Sequence, residues 1–191
     1  MSDLENETKP RLEPMMRGER TFLDLGAQAR LSLWLVKTAM VLEAIDPPPL
    51  RAYADLECSS LRTLNAIPYR TSVWISFATD PAFLFSSKTR HIADATTNQI
   101  TGIATTLGFG HFAAQVFTIR VPAAVVASTS VRAAARIGPW DRATVRIWPS
   151  QPAMASWPPA LGLDGEAGLD ALATRFSVSD LGTAETGALA V

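Results

Sequence analysis

His91, Asn98 and His111 follow one another in the chain in the order His–Asn–His. In metal-dependent hydrolysis of a phosphodiester, that order lets one histidine activate water, the asparagine orient a loop and the other histidine hold the ion. The neighbouring residues do not complete such a centre. A metal-ligating Asp or His ordinarily stands before the first histidine, and here that place is taken by Arg90. Asn98 falls in a loop with no supporting cluster, and His111 opens a strand. Surface placement of His91 and strand-edge placement of His111 outweigh the metal centre, so His91, Asn98 and His111 stand as the alternative and no catalytic residue, metal or cofactor is assigned.

The other reactive groups give as little. Cys58 lies in AYADLECSSL beside Glu57, a neighbour that disfavours the thiolate, and no base accompanies it, so a semi-buried helix thiol is expected. Gly108-Phe109-Gly110 sits between two strand-like segments, which makes it a hairpin turn and not a phosphate loop. The acidic residues are scattered along the chain, as caps and solvated surface are. Lys37 is more informative. A lysine inside an almost wholly apolar helix must snorkel, face a cleft, or pair with Glu43, Asp46 or a residue of another element. Arg62, Arg70, Lys88, Arg90, Arg132, Arg136, Arg142 and Arg146 could gather with Trp140 and Trp148 into a basic, aromatic face able to stack on nucleic acid, against a default of dispersal over the surface. Lys37, Arg142, Arg146, Trp140 and Trp148 are therefore the candidate binding residues.

Positioning them falls to a chain of 191 residues, 48% hydrophobic and 18% charged, with formal net charge −1. Such a balance suits a globular core and supplies no global field for nucleic acid or anionic membrane. One cysteine allows no internal disulfide. The acidic, polar beginning is unlike a secretory signal, and the apolar stretch 31–45 is interrupted by Lys37 and Glu43, too short for a membrane span. A soluble, cytoplasmic protein without membrane association is expected.

Residues 1–20 read as a polar leader, extended or briefly helical because of Pro10 and Pro14. Asp24 is a candidate N-cap for the strongest helix, in which Leu31, Trp34, Leu35, Thr38, Val41, Leu42 and Ile45 recur at helical spacing. A second short helix ends at Asn65. Strands are expected over 71–77, 100–107, 111–121 and 143–148, the middle two forming a hairpin around Gly108-Phe109-Gly110. The segment 121–137 fits either a helix or a strand with a loop. The Trp/Pro run 148–161 reads as irregular chain that presents a surface, 169–176 as a terminal helix and 178–191 as a disordered tail. The sum is an α+β fold in one domain over 21–177: a small antiparallel sheet with a central hairpin, packed against a buried N-terminal helix layer.

Leu4-Glu5, Lys9-Pro10, Trp34-x-x-Lys37-Thr38-Ala39 with Glu43, Pro68 before Val73-Trp74, and Ile147-Trp148-Pro149 with Trp157-Pro158-Pro159 together resemble a family of bacterial and phage proteins labelled HNH-endonuclease-like. In that family the segment similar to residues 1–5 ends a Cys-x-x-Cys-Asn motif of a small zinc-binding head. The resemblance implies that this chain is the body, that the head would attach before Met1, and that no catalytic residue carries over. The expected function is a non-catalytic binding or interaction module of a phage- or mobile-element-associated protein linked to nucleic-acid processing, with nucleic acid or a protein as partner. The alternatives are a metal-dependent HNH-like nuclease using His91, Asn98 and His111, and an inhibitor or structural protein that binds another protein.

Overall fold

The computed structural model describes residues 2–45, 52–80, 84–93, 100–120, 140–149 and 152–176. In chain order these form α1 (Ser2–Met16), β1 (Thr21–Asp24), α2 (Leu25–Glu43), α3 (Asp55–Leu64), β2 (Thr71–Phe77), β3 (Ser86–Ala93), β4 (Ile100–Phe109), β5 (Phe112–Ile119), the short α4 (Trp140–Ala143), β6 (Thr144–Trp148), β7 (Met154–Trp157) and α5 (Gly165–Thr174). An antiparallel sheet runs β3-β4-β5-β2-β6, and β1 pairs with β7 as a separate two-stranded ribbon. The architecture is α+β. Segments 121–137 and 178–191, on which a helix-or-strand choice and a disordered tail were expected, lie outside the described residues.

α2 begins where the Asp24 carboxylate accepts the Ala27 N–H at 2.7 Å, one of the donors a helix start leaves without a partner. Its Leu31, Leu35, Val36 and Ala39 are almost wholly buried. α3 starts with the Glu57 carboxylate accepting the Ala54 N–H and ends at Asn65, whose φ of 52° stops the helix in the left-handed region.

Residues 2–16 are a helix of 15 residues, against the expectation of a leader that is extended or only briefly helical. Leu4, Thr8, Leu12 and Met15 fall on one stripe, with Thr8, Leu12 and Met15 buried and Leu4 packed against the core. Pro10 is exposed, so the carbonyl one turn earlier that its ring leaves unbonded can meet water. Docking of the stripe outweighs the propensity cost.

The sheet is covered on both sides. Val73 and Ile75 of β2, Ile103 and Leu107 of β4, and Ala114 and Val116 of β5 join the core beneath α1–α3. From the opposite face, Trp74, Ala104 and Phe117 meet Ile92 and Phe176, while Ala113 meets Leu169 and Leu172 of α5. The hairpin β4–β5 turns at Gly110, φ 57°, where a Cβ would stand 2.6 Å from the Met16 carbonyl oxygen.

Two elements run against expectation. β3 carries few apolar residues because it is an edge strand, held to α5 by Lys88 through Asp170 and, at 3.8 Å, Glu166. Part of the Trp/Pro run is β7: Trp157 is 1% exposed, and its indole N–H donates to the Ser76 carbonyl at 3.0 Å. Ala155 and Trp157 of that stretch are buried against the core, while Met154 and Ser156 alternate with them on the exposed side.

Candidate binding cleft

A cleft of about 680 Å³ opens along α2. α2 supplies the floor through Arg30, Leu33, Lys37, Met40 and Val41; α1 supplies one wall through Asp3, Leu4 and Glu7. Cys58, Leu61 and Arg62 of α3 make the other wall, with Ile67 and Trp148 closing the lining. The walls stand where they do because α1 runs antiparallel to α2. Glu5 of α1 pairs with Lys37, and Glu7 lies 4.0 Å from Arg30 two turns earlier on α2.

Lys37 thus meets two of its expected fates. Its side chain is 15% exposed, faces the cleft and is paired with a residue of another element, Glu5. Glu43 is turned away from it. At 2% exposure Glu43 accepts the backbone N–H groups of Ala52 and, at 3.1 Å, Tyr53, and lies 3.9 Å from His91 Nε2.

Among the described residues the basic, aromatic face does not assemble. Strict alternation would put Arg146 and Trp148 on one side of β6, but the ladder shifts there: Trp74 stands opposite Arg146 and Val73 opposite Trp148, leaving Ile147 extra. This bulge turns Ile147 and Trp148 together toward α1–α3, while the exposed Arg146 shares the Trp74 face. Arg142 is exposed on α4, and its carbonyl accepts the Leu161 N–H at 2.9 Å. The Trp140 side chain lies outside the described residues.

Of the His–Asn–His set, the two histidines are not brought together either. His91 stands opposite Ile103, whereas His111 follows the turn beyond Phe109. Six residues of strand between those levels separate the histidines by about 20 Å. His111 Nδ1 donates to the Ala78 carbonyl at 2.8 Å, and its ring stacks on Phe77 at 5.3 Å. Asn98 lies outside the described residues. Among the described residues no three His, Cys, Asp or Glu side chains group as a metal site.

Sequence reasoning missed a buried polar network beside the cleft. The Tyr53 hydroxyl meets Thr118 Oγ1 at 3.0 Å, which in turn meets Thr71 Oγ1 at 2.8 Å. Arg120 lies over the Tyr53 ring at 4.7 Å and pairs with Glu57 at 2.6 Å. Burial pushes the Tyr53 phenol up to about 12. Burial, then the Glu43 carboxylate, also raises the Cys58 thiol, which holds it as a thiol and not a thiolate. The only sequence signal was the density of polar residues in 53–71.

Comparison with protein families, with curated proteins and with solved structures returns no match to this chain. No helix among the described residues is long and apolar enough to cross a membrane.

Proposed function

We propose that this chain is a non-catalytic binding module whose ligand enters the cleft between α1, α2 and α3. The observation that carries this reading is the composition of the cleft. Leu33, Met40, Val41, Leu61 and Trp148 offer apolar surface, with charged groups interspersed, in a volume of about 680 Å³. That volume falls within the roughly 300–1,000 Å³ of small-ligand sites, whereas a stable protein interface needs about 800 Å² from each partner. No histidine lines the cleft, and its one thiol, Cys58, is held protonated. Binding is therefore the role its residues fit, in preference to nucleophilic or general-base chemistry. The resemblance to HNH-endonuclease-like proteins supports a body that serves nucleic-acid processing by binding.

An uncharged apolar dye, Nile red, tests the reading. Its fluorescence should rise and saturate at one dye per chain, and Val41→Glu should abolish the rise without lowering the melting temperature, because Val41 is 56% exposed. Absence of saturable binding, or binding unchanged by Val41→Glu, would remove the cleft as the ligand site.

A further inference from the structure

We propose that the ligand of this cleft is a single-chain amphiphile with a carboxylate head, and that Arg62 receives the head. The inference rests on the binding reading above and adds the sign and place of the ligand's charge. Among the described residues, every acidic group of the lining already has a partner. Glu7 lies 4.0 Å from Arg30, and Asp3 is engaged as well. Lys37 is likewise occupied, by Glu5. Arg62, across the cleft on the α3 wall, makes no hydrogen bond or ion pair among the described residues.

The charge left over for a ligand is thus positive and lies on one wall. A guanidinium suits a carboxylate because its planar fork can donate two parallel N–H bonds to the two oxygens. The apolar part of the ligand has a long floor to follow. Lining residues run from Ala29 to Ala44 of the chain, and fifteen helical steps span about 22 Å. That length and the volume of about 680 Å³ fit an extended acyl chain along α2, with Leu33, Met40, Leu61 and Trp148 around it. Arg62 is exposed, so the head stays partly hydrated and its recognition adds a moderate increment to burial of the tail.

Calorimetric titration of the full chain at pH 8 with dodecanoate, 1-dodecanol and dodecyltrimethylammonium, each below its micelle concentration, tests the inference. Dodecanoate should bind about tenfold tighter than dodecanol, as a charge-assisted hydrogen bond implies, and dodecyltrimethylammonium should bind no better than dodecanol. Arg62→Gln should bring dodecanoate down to the level of dodecanol and leave dodecanol unchanged. Equal binding of the three amphiphiles overturns the inference and spares the cleft, as does a dodecanoate preference that survives Arg62→Gln. Failure of all three to bind, or dodecanol binding indifferent to Val41→Glu, overturns the cleft reading and with it the inference.

Discussion

Glu43 places a carboxylate at 2% exposure where the chain leaving α2 returns toward α3, and uses it to accept the N–H groups of Ala52 and Tyr53. An amide in its place would keep the shape and one acceptor but lose the charge that strengthens both bonds. Glu43→Gln should therefore lower unfolding free energy by about 1.5–3 kcal/mol in urea titration, and a change near zero would mean that the carboxylate does not hold this turn. Tyr53 makes a second residue-scale prediction. Burial raises its phenol to about 12 from an ordinary 10.0. The folded protein then holds the proton over a window in which the unfolded chain has released it. Stability from this group is full below pH 10 and falls as pH rises from 10 to 12, by about 3 kcal/mol across the two units. Tyr53→Phe should flatten that part of the alkaline stability curve relative to the parent, although it also loses the bond to Thr118. The same environment should make alkylation of Cys58 by iodoacetamide require a higher pH than alkylation of the unfolded chain, since burial raises its thiol. Neither Glu43 nor Tyr53 was legible as a site residue. Tyr53 meets Thr118 across 65 residues of chain, and Glu43 reaches Ala52 and Tyr53 across 9 and 10 residues outside any helical or strand period, so no local pattern announces either role.

At the scale of elements, the β4–β5 turn and the end of α1 are a single joint. His111 N–H donates to the Met16 carbonyl at 3.0 Å, and Gly110 lets the two backbones approach. Gly110→Ala adds a left-handed penalty of about 1–2 kcal/mol to a contact of 2.6 Å with backbone that cannot rotate away. The total loss, read from a urea midpoint, should exceed the left-handed penalty alone. α1 predicts the opposite sign for another change. Pro10 sits in the interior of a helix whose docked stripe does not include it, so Pro10→Ala should raise stability by about 1–3 kcal/mol and the melting temperature with it. The prolines are also why α1 was illegible. Propensity read from sequence counts the missing donors and cannot count Leu12 and Met15, whose burial against α2 decides the outcome. β6 shows the same limit in a strand. Its alternating residues placed Arg146 and Trp148 on one face, and the bulge at Ile147 separated them.

For the whole molecule, the sequence made legible those parts in which local pattern and tertiary demand agree. α2 with its Asp24 cap, the hairpin around Gly110 and the strand 71–77 are such places, and they suffice for an α+β architecture with helices over a sheet. Lys37 was legible as an anomaly, and the cleft it faces is where the helices α1, α2 and α3 converge, with Trp148 joining them from far along the chain. Edge strand β3 and ribbon strand β7 were not legible, because each owes its conformation to a partner: β4 for one, β1 for the other.

That ribbon sets a timetable for the chain's birth. Phe22 and Leu23 leave the ribosome early, yet the residues they pair with, Ser156 and Ala155, are made about 130 residues later. At 5–20 residues per second the nascent strand waits on the order of 7 to 26 s for its mate. Throughout that interval Leu23, wholly buried once folding ends, is uncovered beside Phe22 on an unpaired strand. The growing polypeptide therefore carries β1 without its mate until the Met154–Trp157 segment emerges and closes the clasp.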